Sequence, residues 1–232
     1  VMLGRVLVEK GWVPEELVVQ ALKRKTEETV YSLFLCSEGD LSVQEGETVA
    51  LLGPSGTGKS VLLKHIIGLI HPDSGTIIVD DLDVSTLGRK ELAALRSTIG
   101  YVFQNGALFD SMNVYENIRL GITDAKANRD AEYCAKRVPE CLALVNLAPD
   151  VAEKYPAQLS GGMRKRVGIA RAIAGRPKYL HYDEPTSGLD PPGTDEILAL
   201  LRRHKAEGGT ILLSTHDRVT AEGACDRAIV LG

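Results

Sequence analysis

The sequence lacks the features that would place a chain in a membrane, in an oxidising compartment or on nucleic acid. No apolar run approaches the ~20 residues that a membrane-spanning helix needs, and no signal-peptide pattern opens the chain. The four cysteines (Cys36, Cys134, Cys141 and Cys225) are scattered, with no C-x-x-C pair and no histidine at a ligand spacing. Reduced, buried thiols in a cytosolic protein are therefore expected, rather than disulfides or a zinc site. The net charge of −4 gives no whole-chain attraction to phosphodiesters, so no nucleic-acid partner is expected. There is no internal repeat and no low-complexity tract. What remains is an ordinary globular composition, 44% hydrophobic and 25% charged over 232 residues, enough for one α/β domain with a small appendage.

The stretch that organises the rest is Gly53, Pro54, Ser55, Gly56, Thr57, Gly58, Lys59 and Ser60. An apolar run, Val49-Ala50-Leu51-Leu52, precedes it, and a helical pattern follows with Val61, Leu62, Ile66 and Ile67 on one face. Strand, glycine-rich turn and helix are the context of a phosphate-binding P-loop. Glycines let the backbone wrap a polyphosphate and take φ above zero. The turn's N–H groups then point inward at the positive end of the helix dipole. Lys59 is positioned as a point charge for the outer phosphates and Ser60 as a hydroxyl ligand for Mg2+.

Along the chain, residues 1–40 read as an atypical, mostly helical N-terminal extension. Pro14 sits where a helix can start, with Leu17, Val18, Ala21 and Leu22 on its face; Glu27 to Cys36 fits a helix or a strand equally well. Leu3 to Gly11 with Glu15, Glu16 and Leu17 resembles small helical modules appended to bacterial signalling and secretion proteins. From Leu41 the alternation and a Glu-Gly turn predict a hairpin leading into the P-loop strand. Further on, the pattern predicts strands at 76–79, 99–103, 179–182, 210–214 and 228–231. Helices are predicted at 89–96, over much of 105–158, from Ser160, and at 193–205. Asn113 and Glu116 have capping-box spacing, and Pro139 should kink or split the helix around 130–147. Alternating strands and helices argue for a parallel sheet covered on both faces.

Gly53, Gln104, Asp183, Glu184 and His216 all fall just past the carboxyl ends of predicted parallel strands, the edge where open α/β sheets bind ligands. Asp183 is then the carboxylate that holds Mg2+ through water, and Glu184 the group that polarises the attacking water. Gln104 can orient water or Mg2+, or merely cap a strand end. His216 can donate to a γ-phosphate. Leu159-Ser160-Gly161-Gly162-Met163 offers a hydroxyl, free N–H groups and a helix dipole, a second anion site. One nucleotide does not need two such sites in one subunit, so this turn is expected to cover ATP held by a second copy. The run Arg164-Lys165-Arg166 reads as a solvated helix face. His181 interrupts a strand that should be buried, and must find a partner or stay neutral.

These residues, in this order, resemble the ATP-binding subunits (nucleotide-binding domains) of ABC transporters over roughly residues 41–232. Gly53 to Ser60 matches their Walker A motif, Gln104 the Q-loop, and Leu159 to Met163 the signature. Asp183-Glu184 matches Walker B, Ser187-Gly188-Leu189-Asp190 the D-loop, and His216 the switch histidine. The resemblance implies a P-loop NTPase (RecA-like) α/β core with a parallel sheet and a helical subdomain near 105–165. It also implies ATP and Mg2+ as ligands, a head-to-tail dimer with a second copy, and hydrolysis. Asp190 would contribute to the nucleotide site, and Tyr31 lies near the position of the residue that stacks on adenine. Val102 to Met112, with Val114-Tyr115-Glu116-Asn117, and Leu159 to Val167 are most similar to the Mla/Mce-type phospholipid transport ATPases. That implies an integral membrane permease as partner and a cytoplasmic location, peripheral on the inner face of the cell membrane. A non-transport cassette acting on DNA or ribosomes usually carries a second cassette or a long coiled-coil insert, and neither is present. A regulatory nucleotide-binding module is disfavoured by intact Lys59, Asp183, Glu184 and His216.

Overall fold

The strand that feeds the glycine-rich turn is buried along almost its whole length, with Thr48, Val49, Ala50 and Leu51 fully out of solvent. A strand apolar on both faces belongs inside a parallel sheet covered by helices, and the computed structural model shows that arrangement. It describes residues 34–35 and 41–231; the predicted extension, with Tyr31 and Cys36, lies outside the described residues apart from Phe34 and Leu35. The main sheet is built from β1 (Phe34–Leu35), β2 (Thr48–Leu52), β5 (Ile99–Val102), β6 (Tyr179–Asp183), β7 (Thr210–Thr215) and β8 (Arg227–Val230). Their order is β1-β8-β2-β7-β6-β5, and every neighbouring pair is parallel. β3 (Ile78–Val79) and β4 (Leu82–Asp83) form a separate antiparallel hairpin, turning through Asp80 and Asp81, both at positive φ.

Parallel neighbours need crossovers, and helices supply them. They are α1 (Lys59–Ile66), α2 (Arg89–Ser97), α3 (Val114–Arg119), α4 (Ala125–Arg129), α5 (Ala131–Leu144), α6 (Gly161–Ala174), α7 (Pro191–Ala206) and α8 (Arg218–Ala224). The pleat of β2 divides the apolar residues between two cores. Ala50 joins a large cluster with Tyr182, Ile211, Leu213, Ile197 and Leu201, which runs on without a break into Val114, Val138, Leu142 and Ile169 of the helical region. Val49 and Leu51, on the other face, pack with Leu63, Leu212 and Ile229. Period-two alternation along one strand thus anchors both layers.

Several expectations need correction. The hairpin before β2 does not form: residues 41–44 have no strand partner, and only the turn is present, with the Glu47 N–H donating to Gln44 O at 3.1 Å and Gly46 at φ 79°. An antiparallel arm would have no place beside β2, whose two edges are taken by β7 and β8. The buried apolar residue within α1 is Leu63, with Ile67 buried just past its end, while Val61 is 45% exposed. Pro139 does not split its helix, which runs unbroken from Ala131 to Leu144; buried Val138, Cys141 and Leu142 hold both sides of it against the core. The hairpin strand β4 and helix α8 were not foreseen. α8 starts at Asp217, whose carboxylate accepts the N–H groups of Val219 and Thr220, a cap that a composition of small residues hid.

Candidate functional site

The register of the sheet brings the candidate residues together. Leu52 lies beside Thr215, and Asp183 beside Ser214, so Gly53, Glu184 and His216 emerge from adjacent strand ends at one rim. Gly53 is required there by a close approach: an added Cβ would stand 2.5 Å from Leu231 O. Gly56 and Gly58 have φ of 91° and 89°, and an added Cβ at either would meet nothing within 4 Å. The loop therefore curves around open space. α1 begins at its end with no side-chain cap on Gly58, leaving the first-turn N–H groups for a ligand. Lys59, 5% exposed, donates from Nζ to Gly53 O at 2.8 Å and Pro54 O at 2.9 Å. The same ammonium lies 3.5 Å from Glu184 Oε1.

Asp183 ends β6 and is a node of three donors. Its Oδ1 accepts from Ser60 Oγ and from Ser214 Oγ, each at 2.7 Å, and its Oδ2 accepts from Tyr101 OH at 3.2 Å. Burial first, then the Asp183 charge, pushes the Tyr101 hydroxyl well above its ordinary range, so it stays a donor. Glu184 sits at φ 49°, a strained conformation for a residue with a Cβ, worth roughly 1–3 kcal/mol. Its backbone N–H donates to Ser214 O and Ser214 Oγ, both at 3.1 Å. Its carboxylate accepts from His216 Nδ1 at 2.8 Å. A single buried carboxylate is thus held between a lysine and a half-exposed histidine.

The donor set fits a polyphosphate with a hard divalent cation. Ser60 and Asp183 bring two oxygens within 2.7 Å of each other beside a loop of backbone donors. Among the described residues no group of three His, Cys, Asp or Glu forms a metal cage. Mg2+ carried by one or two carboxylates and substrate phosphates needs none.

Gln104 is exposed and donates from Nε2 to Ser187 Oγ at 3.4 Å; its described bond goes to that turn and not to Ser60 or Asp183. Ser160 caps α6, its Oγ accepting the Met163 N–H at 3.2 Å. Ser160 and Gly161 are exposed, and nothing crowds Gly161. Asp190 caps α7 by accepting the Gly193 N–H at 3.1 Å. Tyr31 lies outside the described residues.

The basic run is not a solvated face. Lys165 is 7% exposed and donates to Glu184 O at 3.5 Å, Pro185 O at 3.0 Å and Ser187 O. Arg164 donates to Leu159 O at 2.7 Å. Arg166 donates to Asn146 O and pairs with Glu196. The sequence pattern gave no site role to Tyr101 or Ser214, and it read Ser187 only as part of the D-loop resemblance, not as the partner of Gln104 and Lys165. For Ser214 a signal existed, a hydroxyl near the end of an otherwise apolar strand. His181 is buried with its Nδ1 unpartnered, and burial pulls its pKa down to about 4. It stays neutral, as the strand context required.

Comparison with known proteins agrees with this geometry. Residues 36–187 match the ABC transporter family. Among relatives, the methionine import ATP-binding protein MetN of Carboxydothermus hydrogenoformans is 45% identical over 192 residues, 82% of this chain and 56% of the relative. The probable ribonucleotide transport ATP-binding protein mkl of Mycobacterium tuberculosis is 45% identical over 178 residues, 76% of this chain and 49% of the relative. The chain spans about half the length of these curated relatives. A solved dimeric structure of a bacterial ABC transporter cassette superposes with a TM-score of 0.77 at 37% identity, covering 82% of this chain and 83% of that one. A second, a dimeric post-hydrolysis cassette with ADP and Pi bound, superposes at 0.76 and 36% identity, with the same coverage.

Proposed function

Because the chain belongs to the ABC transporter ATP-binding family, we propose that it binds ATP with Mg2+ and hydrolyses it as the energy-coupling subunit of a transport system. The observation that carries this reading is Glu184, held at the rim by Lys59 on one side and His216 on the other. Gly53, Pro54, Ser55, Gly56, Thr57 and Gly58 wrap the phosphates with backbone donors, and Lys59 turns its charge to the outer ones. Ser60 and Asp183 hold Mg2+, with Gln104 as a further ligand or water-orienting group. When bound, Mg2+ neutralises charge on the phosphate oxygens. Glu184 polarises the attacking water. His216 orients that carboxylate through Nδ1, and its other ring nitrogen can donate to a phosphate oxygen once the ring carries both protons.

Ser160, Gly161 and Gly162 complete the nucleotide site of a second copy in a head-to-tail dimer, with Asp190 placed at the same seam and Tyr31 as the adenine-stacking residue. The dimeric cassettes above support this assembly. Residues 105–165 form the helical subdomain that docks an integral membrane permease, and residues 1–40 an extension. No described helix is long and apolar enough to cross a membrane, in keeping with a peripheral subunit on the cytoplasmic face. For the cargo we favour phospholipid, from the similarity of residues 102–117 and 159–167 to Mla/Mce-type ATPases. The named relatives handle methionine and ribonucleotides, so cargo is the finest part of the reading. Steady phosphate release by the purified chain, dependent on Mg2+, tests the core of it. ATP binding without turnover in the unmodified chain would overturn it, and co-purification of a permease that moves a polar solute would overturn the cargo alone.

A further inference from the structure

The basic residue that the sequence placed in solvent is the one the structure buries against the turn after Glu184. Three described partners of Lys165 Nζ are carbonyl oxygens of that turn: Glu184 O, Pro185 O and Ser187 O. Elsewhere the turn is held at the Glu184 N–H by Ser214 and at Thr186, whose Oγ1 bonds Thr220 Oγ1 at 3.0 Å, but among the described bonds only Lys165 brings a charge to its carbonyls. The turn's own bonds are the Ser187 N–H to Glu184 O at 3.2 Å and the Leu189 N–H to Thr186 O at 3.2 Å, and it begins at the strained φ of Glu184. Burial draws the pKa of Lys165 down while the Glu184 charge pulls it up, so the ammonium senses the carboxylate as well as the carbonyls.

Lys165 belongs to α6, whose first residues follow the exposed Ser160 cap. Further along, Arg171 donates to Gly106 O at 2.7 Å and Ala107 O at 2.8 Å. Gly168 touches Gly106 so closely that a Cβ would lie 2.8 Å from its Cα. One helix therefore grips both the segment after Gln104 and the turn after Glu184, and Gln104 itself reaches that turn at Ser187. A buried ammonium spent on three carbonyls costs desolvation that an apolar side chain would avoid. A position that needed only packing would not need the charge.

We propose that Lys165 is a positioning residue that pins the 184–187 turn to α6 and so sets the placement of the Glu184 carboxylate for hydrolysis. Resting on the hydrolase reading above, this makes the Ser160-Gly161-Gly162 turn and Glu184 of one chain parts of a single rigid unit. Movement of α6 at its exposed end is then felt at the carboxylate.

The test uses the full chain with Lys165→Met and Lys165→Gln, each checked for folding by circular dichroism and Tm. Folded K165M should lose about a hundredfold in kcat, the scale of a small misplacement of a reacting group, with KM within about twofold. K165Q, which keeps an amide donor, should fall between. In nucleotide-free protein, hydrogen exchange should rise in K165M at residues 184–188 and stay unchanged in β6 and α7. Wild-type kcat in K165M or K165Q overturns the proposal; so does a loss carried mainly by KM, or failure of both variants to fold, which would make Lys165 a structural strut. A flat exchange profile overturns the pin whatever the rates. Absence of ATPase activity in the unmodified chain would instead overturn the hydrolase reading, leaving the exchange measurement to decide on the pin by itself.

Discussion

The two anion-type turns of this chain are built in opposite ways. The loop at 53–58 is tied into its own molecule: Lys59 bonds back to Gly53 and Pro54, Ser60 to Asp183, and Glu184 to His216. The turn at 160–162 is tied only into the start of its own helix, by the Met163 N–H to Ser160 Oγ and the Arg164 N–H to Ser160 O, and Ser160 and Gly161 face solvent. A side-chain network of that density orders groups before a ligand arrives, which is what an electrostatic catalyst needs. A bare helix start orders nothing by itself and becomes useful when another surface brings the anion to it. The contrast between a finished half-site and an open one is the argument, from a single chain, for a second copy.

The most forceful way to break the comparison is at the finished half. Glu184→Gln keeps the shape and one of the two acceptor oxygens while removing the base and its ion pair with Lys59. Turnover should fall by about 10²–10⁴-fold with ATP still bound. Phosphate release and nucleotide retention on gel filtration report the two separately. Residual activity near wild type would move the base to another residue.

The open half should respond in function without responding in stability. Gly161→Asp meets no neighbour, and an acid in the first turn of α6 complements the helix dipole. Tm should hold or rise slightly. Activity should fall by about a hundredfold, because like charges facing each other across a joint cost several kcal/mol. Melting curves beside kcat measurements check this, and loss of stability in step with activity would mean that the turn serves its own chain.

Gly53→Ala attacks the finished half through the backbone. Its Cβ would be forced to 2.5 Å from Leu231 O, so the loop or the end of β8 must move, at roughly 1–3 kcal/mol. Denaturant unfolding should show that loss together with weaker ATP binding. Unchanged stability would mean that Leu231 gives way freely.

Most of the finished half was legible because its residues are tied to strand ends, and strand ends follow from hydrophobic period and turn chemistry. Gly53, Asp183, Glu184 and His216 all land where the pattern puts them. What escaped was contact across the sheet or between layers. Tyr101 and Ser214 reach Asp183 from neighbouring strands, and no spacing in the chain encodes that. Lys165 escaped because three consecutive cations look solvent-facing, whereas backbone carbonyls of a distant turn can satisfy an ammonium as fully as water. Val61 was placed on the wrong side of the helix, about 100° beyond Leu62 at the edge of the buried arc. The hairpin before β2 failed because alternation over a few residues cannot report that both edges of the neighbouring strand are already occupied.

The smallest effect separates two polar residues of one strand, Asp183 with three donors and His181 with an unpartnered Nδ1. Burial pulls the pKa of His181 down to about 4, against about 6.5 in an unfolded chain. The unfolded state therefore binds more protons between those values, so stability must fall as pH drops below about 6.5 and level off only below about 4. At pH 5 this one group should cost about 2 kcal/mol relative to pH 7.5. His181→Leu removes both the proton and the orphaned nitrogen, so urea unfolding of the variant should lose less on going from pH 7.5 to pH 5 than the parent does, by about that amount. Equal losses in the two proteins would mean that His181 finds a proton acceptor when it charges, and the strand would then tolerate a polar group beneath the rim with or without the donors that surround Asp183.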